Sequence, residues 1–297
     1  MTKSRTIRFP PSWPLIIGAL ILALAGCSTA LRLGYNQGPT LAFWWADRFI
    51  DFDSRQSDHV RKALNDWFRW HRATQLQDLE ALARRAQSEA LVPATSAQIC
   101  RWSDELSARL IQAYEHAVPA IADIVLTLRP EQLKQLERRY EKNNEEFRDD
   151  YQQAGTEDRL RESIKRTRKR AEDFYGPLNP NQQLLIRRWT AESPFDPELS
   201  LAERRARQQD ILSGLRRWTG EKSAPDTVRI GLKALEQSVR QSPRENYRIY
   251  QKRLLDYNCA FMADVHNSTT QAQRQRLVEK FKNWEVDLHS LISETGA

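Results

Sequence analysis

Residues 270–291 read TQAQRQRLVEKFKNWEVDLHSL, and this stretch decides the fold class. Leu277, Phe281, Trp284, Leu288 and Leu291 follow one another in alternating steps of four and three. Such steps keep a row of side chains on one helical face, the spacing of a bundle seam. Thr270 opens the stretch and Gln273 stands three residues on, a capping box that satisfies backbone N–H groups otherwise orphaned at a helix start. A helix with one apolar stripe must bury it against other helices.

The same grammar recurs along the chain. Asp53 with Gln56 opens a long helix to about Leu91, whose apolar row runs Val60, Leu64, Trp67, His71, Leu79 and Leu82. Pro93 breaks the pattern, and Thr95 with Gln98 starts a helix in which Pro119 predicts a kink or interruption. Pro130 opens another helix, carrying Leu133, Leu136, Tyr140, Phe147 and Tyr151, and a highly charged one after Gly155 stops at Gly176 and Pro177. Asn179, Pro180 and Gln182 begin a short helix through Trp189, and Ser200 with Glu203 is read as the cap of the next. Pro225 and the stretch Ser242-Pro243 signal two more helix starts. Glycine is scarce, 10 in 297 residues, and no sustained two-residue alternation appears. The chain therefore reads as all-α, an elongated bundle of about eight or nine amphipathic helices with no β-sheet.

The first residues differ in kind. Lys3, Arg5 and Arg8 stand without an acid before an apolar run at residues 15–25, and a small-residue junction precedes Cys27. That is the three-part layout of a cleaved secretory signal. The run is 11 residues, against about 20 needed to cross a hydrocarbon core as a helix. The expected organisation is a signal peptide over 1–26, a tether over 27–38, and helical regions over 39–176 and 177–297 packed as one helical domain. Without residues 1–26 the charge falls from +7 to +4, with 43 basic against 39 acidic side chains. So balanced a surface is no nucleic-acid footprint.

The tetrapeptide Leu24-Ala25-Gly26-Cys27 resembles the lipobox of bacterial lipoproteins, which implies a diacylglycerol on the Cys27 thiol and membrane attachment through that lipid. In that family an aspartate after the cysteine favours retention at the inner membrane; Ser28 here implies the periplasmic face of the outer membrane. Tyr35-Asn36, Trp45, Asp47, Asp51, Gln56, Trp70-His71-Arg72, and the later stretch from Asn267 through Trp284 and Leu288 resemble an uncharacterised family of Gram-negative helical lipoproteins. That resemblance implies an address and a fold and supplies no chemistry. Leu128-Arg129-Pro130-Glu131-Gln132 and Leu178-Asn179-Pro180-Asn181-Gln182 look like the Leu-Thr-Pro-Glu-Gln helix openings of small periplasmic helical chaperones and stress sensors, although any helical protein needs such caps.

Candidate functional residues are few. A histidine beside an arginine suits a pH-dependent site, but His71 sits on an apolar row and reads as a buried, hydrogen-bonded ring. His59, His116, His266 and His289 show no paired ligand spacing, and no nucleophile elbow, dinucleotide turn or phosphate loop occurs. No catalytic set, metal or cofactor is expected. Cys100 and Cys259 are either a disulfide between distant helices or two buried thiols, and an oxidising compartment favours the bridge. Within the basic run 159–170, Arg161, Lys165, Arg166, Arg168 and Lys169 make a candidate anionic contact, with a solvated helix face as the alternative. Trp44 and Trp45 are expected to enter the core, since Asp47, Asp51 and Asp53 would be repelled by an anionic leaflet. The leading functional expectation is a non-enzymatic helical scaffold or binding module with an envelope partner. A periplasmic holdase is second, and an envelope enzyme using His71 is third.

Overall fold

A computed structural model of the chain describes residues 28–153 and 155–294, with no side-chain description for 28–30. Among them are twelve helices and no strand: α1 (Ser28–Asn36), α2 (Gly38–Ile50), α3 (Ser54–Thr74), α4 (Leu76–Glu89), α5 (Ser96–Val125), α6 (Pro130–Tyr151), α7 (Thr156–Tyr175), α8 (Pro180–Ala191), α9 (Pro197–Gly220), α10 (Pro225–Arg240), α11 (Glu245–Asn267) and α12 (Gln271–Ser293). The fold is all-α, and the helix count exceeds the expected eight or nine for two identifiable reasons. Residues 28–36, read as tether, form α1, and the long helix expected from Asp53 divides at Gln75 into α3 and α4. Gln75 is buried and closes α3 while opening α4. Neither Gly nor Pro marks that break, so periodicity cannot reveal it. Pro119, by contrast, does not end α5, which continues through it to Val125. The cap expected at Ser200 is instead Asp196, whose carboxylate accepts from the Leu199 N–H at 2.9 Å.

The capping boxes expected at Asp53, Thr95, Asn179 and Thr270 form, and four helix starts close on each other in two pairs. At the starts of α3 and α6, Gln56 and Gln132 exchange amide hydrogen bonds of 3.2 and 2.7 Å. Gln56 Nε2 also donates to the Thr127 carbonyl at 2.9 Å, and Gln132 Nε2 to the Asp51 carbonyl at 3.0 Å. At the starts of α8 and α12, Gln182 and Gln273 exchange bonds of 2.7 and 3.0 Å and donate to the Ser268 and Pro177 carbonyls, each at 2.9 Å. In all four cases the carbonyl reached lies two residues ahead of the partner helix's N-cap. Each Oε1 additionally accepts the N–H of its own N-cap residue. Every amide thus uses two donors and two acceptor positions, and all four side chains are buried.

A hydrophobic cluster sits behind each joint. The larger joins Phe49 of α2, Val118 and Ala122 of α5, Leu133 and Leu136 of α6, Leu212 and Trp218 of α9, and Val228 of α10. Gly231 is required there: a Cβ at that position would stand 2.1 Å from the Trp218 ring. The smaller joins Leu178, Ile186 and Val265. α12 lies along α4 and reaches α1, and α11 lies on α5. Cys100 of α5 and Cys259 of α11 are joined as a disulfide, with Cα atoms 5.5 Å apart.

Replacing Gln273 by Leu strands the Gln182 amide in the interior and should lower stability by about 2–4 kcal/mol in urea unfolding. The Gln182→Ala and Gln273→Ala losses should fall short of additivity by at least about 1 kcal/mol. Strictly additive losses would mean that the two side chains act as separate caps. Reduction of the disulfide should cost up to about 5 kcal/mol, since it closes a very long loop. Two alkylated thiols in unreduced protein would show that the bond is absent.

Candidate functional site

The tripeptide Trp70-His71-Arg72, near the end of α3, sends three neighbouring side chains to α5, to α1 and to the residue beyond α12. The Trp70 ring stacks on His116 of α5, centroids 3.7 Å apart and nearly parallel at 8°. One turn earlier, Trp67 donates its indole N–H to the Ala113 carbonyl of α5 at 2.9 Å. His71 Nδ1 lies 2.9 Å from the Tyr35 hydroxyl of α1 and its ring stacks on Trp67. Arg72 donates to the side-chain Oδ1 of Asn36 and lies 3.6 Å from Glu294, beyond the end of α12. Glu294 also accepts from Asn36 at 3.2 Å and pairs with Arg32. Four segments distant in sequence are thereby gathered at the end of α3.

An open cleft of about 900 Å³ lies beside this node, lined by Tyr35, Asn36, Lys62, Phe68, Arg69 and Arg72 among others. Phe68 packs so closely on the start of α2 that a Cβ at Gly38 would stand 2.3 Å from its ring. The cleft's charge is largely spent internally: Lys62 and Arg69 both pair with Asp66, at 2.7 and 3.2 Å. Burial drives the His71 pKa down to about 4 and raises that of Tyr35, against the lowering influence of Arg72. Both groups therefore stay neutral around pH 7, whereas a general acid or base works best with a pKa near the operating pH. The Tyr35–His71 contact is a neutral hydrogen bond that ties α1 to α3.

Residues 48–248 match the family of unknown function DUF6279. The chain belongs to that family. No curated protein and no solved structure matches the chain. The DUF6279 stretch contains Trp70-His71-Arg72, Cys100, and three of the four paired glutamines. Tyr35, Cys259, Gln273 and Glu294 lie outside it.

The other sequence-derived candidates scatter. Cys27 lies outside the described residues. On α7 the basic candidates face nearby acids or carbonyls: Arg161 with Asp158, Lys165 with Glu162, Arg168 with Glu172, and Lys169 with Asp173. Arg166 donates to the Asp150 carbonyl at 3.1 Å and lies over the Tyr151 ring. The structure does not gather these five into one open cluster. His266 is buried and donates from Nε2 to the Val92 carbonyl at 2.9 Å, which leaves Nδ1 to accept from the Tyr175 hydroxyl at 3.0 Å. Among the described residues, no three of His, Cys, Asp and Glu come together as a metal site. Trp44 and Trp45 correct the sequence reading: both are exposed, because the buried stripe of α2 is Phe43 and Phe49. Sequence reasoning also missed the Arg32, Asn36, Arg72 and Glu294 cluster, whose members meet only through tertiary contacts.

The His71 shift has a signed consequence. The unfolded ring takes a proton near its ordinary pKa of 6.5, and the folded ring only near 4. Stability is therefore complete above pH 6.5 and falls as pH drops from there towards 4. His71 alone contributes a loss on the order of 2 kcal/mol by pH 5. His266, also lowered by burial, adds to it in the same direction. In urea unfolding at pH 7.5 and pH 5, the stability gap between wild type and His71→Gln should narrow at the lower pH. An unchanged gap would show that the ring protonates freely in the folded protein.

Proposed function

We propose that the protein is a periplasmic lipoprotein anchored to the outer membrane by lipid on Cys27, and that it acts as a non-enzymatic helical binding module for another envelope component. The leader layout and the four-residue lipobox-like junction support the address. The binding role rests chiefly on one observation. On α5 and α11, which the disulfide locks together, Leu106, Leu110, Ile249, Leu255 and Met262 are exposed. Ala94 exchanges hydrogen bonds with the Asn267 side chain, so the two helices run antiparallel. Single exposed apolar residues are ordinary. Five on a covalently locked helix pair favour docking of an amphipathic or extended apolar segment.

A holdase is the second reading, favoured by the resemblance of the α6 and α8 openings to those of small periplasmic helical chaperones. An enzyme using His71 is the least favoured, because that ring serves as a joint.

One experiment separates these readings. A photoreactive residue at Leu106, Leu110 or Met262 in intact cells should yield reproducible adducts with one or a few envelope proteins, absent from a control position at Arg138. Adducts spread over many unfolded chains, with suppressed aggregation of an unrelated client by purified protein, would establish the holdase instead. No excess over the control would remove both. The mass of the N-terminal peptide from the same cells tests the anchor: an unmodified Cys27 would end that part of the proposal.

A further inference from the structure

We infer that α1 and α2 form a membrane-docking face whose occupant is the headgroup layer of a phospholipid bilayer. Leu33 of α1 and Leu41, Trp44 and Trp45 of α2 leave 61, 52, 60 and 41 % of their surface exposed. Leu41, Trp44, Trp45 and Arg48 fall at steps of three, four and seven, so they share one helical stripe, and Arg48 is exposed as well. The rest of the helix surface is held inward: Phe43, on the far side, is buried beneath the Arg61 guanidinium, 3.5 Å from its ring, and Phe49, whose ring meets that of Trp45 at 4.8 Å, belongs to the larger core cluster. α2 therefore presents two tryptophans and a leucine outward from a helix already fixed on its other side. It packs on α3 and α6, so docking requires no folding step.

Position and composition identify the occupant. α1 begins at Ser28, the residue after Cys27 in sequence, and the five steps from Ser28 to Leu33 span only about 8 Å at helical rise. If Cys27 carries lipid, as proposed above, this face is the part of the protein nearest the bilayer. Tryptophan and leucine with a flanking arginine is the mixture favoured at the headgroup boundary, where an amphipathic helix lies flat. Two of the three acids that argued against such contact are engaged elsewhere, and Asp51, the C-cap of α2, stays exposed. The Asp47 carboxylate accepts from the Phe52 N–H at 3.0 Å, at the C-terminal end of α2. Asp53 caps α3 through the Gln56 N–H at 2.9 Å and pairs with Arg129. A diacylated anchor already holds the chain at the surface, and an aromatic contact would add a fixed orientation of the body to it.

The test replaces the lipid, so that it does not depend on Cys27. Every contact described above lies within residues 28–294, so a chain starting at Ser28 keeps the fold. With a hexahistidine segment ahead of Ser28, that chain is held on vesicles of phosphatidylethanolamine and phosphatidylglycerol containing a nickel-chelating lipid. Acyl chains brominated near the headgroup serve as the quencher. The expected result is quenching of part of the tryptophan emission in the wild type, with most of that quenched part lost in a Trp44→Phe, Trp45→Phe double variant. Equal fractional quenching in the two proteins, or none in either, would overturn the inference. So would a dimer in solution that dissociates on Trp44→Ser and Trp45→Ser substitution, which would make a second copy the occupant. An unmodified Cys27 in cells would refute the lipid anchor and leave this result standing; failure here would leave the lipid anchor standing.

Discussion

A helix that begins inside a protein presents N–H groups that water cannot reach, and each left unpaired costs about as much as a buried polar group without a partner. Four helices of this chain instead bury only the glutamine among their first three residues, their N-caps staying exposed or half-exposed, and it is the glutamine amide whose donors and acceptors must be met. The solution is one device used twice: a glutamine at the third helical position turns its oxygen back onto its own cap and across to a partner glutamine, while its nitrogen reaches the partner's approach strand. Each pair fixes two helix starts and two incoming chain segments at once. The two hydrophobic clusters are arranged around these joints, with Leu133 just beyond Gln132 in one and Leu178 and Ile186 flanking Gln182 in the other. A carboxylate in place of either amide has no N–H to donate, which explains why a residue with both donor and acceptor stands at each position.

The sequence shows the caps but not their pairing. Asp53 with Gln56, Asn179 with Gln182 and Thr270 with Gln273 are local patterns, readable because capping acts over three residues. Their partners lie 76 and 91 residues away, and the distances between copies are irregular, so no repeat is visible. The division at Gln75 is equally hidden, because it lacks a helix-breaking residue and leaves the apolar row in step on both sides. Ser200 and Glu203 mislead for the opposite reason. They have the form of a box, but the Ser200 hydroxyl bonds the Asp196 carbonyl at 2.7 Å. Glu203 is buried between Arg207 and Arg244, at 2.8 and 3.5 Å.

Trp70-His71-Arg72 shows how the site readings divide. The hydrogen-bonded histidine, half-buried in the fold, was legible from its place on an apolar row. Its partner Tyr35 was not, because a contact between α1 and α3 leaves no periodic trace. Trp44 and Trp45 show the reverse. The nearby acids Asp47, Asp51 and Asp53 argued for the core by arguing against a leaflet, yet the inward positions of this helix of 13 residues are taken by Phe43 and Phe49.

The two ends of the fold are coupled through α12. Its first turn belongs to the Gln182–Gln273 joint. Its middle holds α4 through Glu285, which accepts from Arg84 and Gln87 at 2.8 and 2.6 Å. Glu294, one residue past its end, gathers Arg32, Asn36 and Arg72. With 23 residues it spans about 34 Å at helical rise, and it connects the smaller core directly to the helix next to Cys27. The first described helix is thus held by residues in and just past α12. Whatever fixes α1 at a surface fixes the orientation of α12, and through the second joint that of α8, without any contribution from the loops between them.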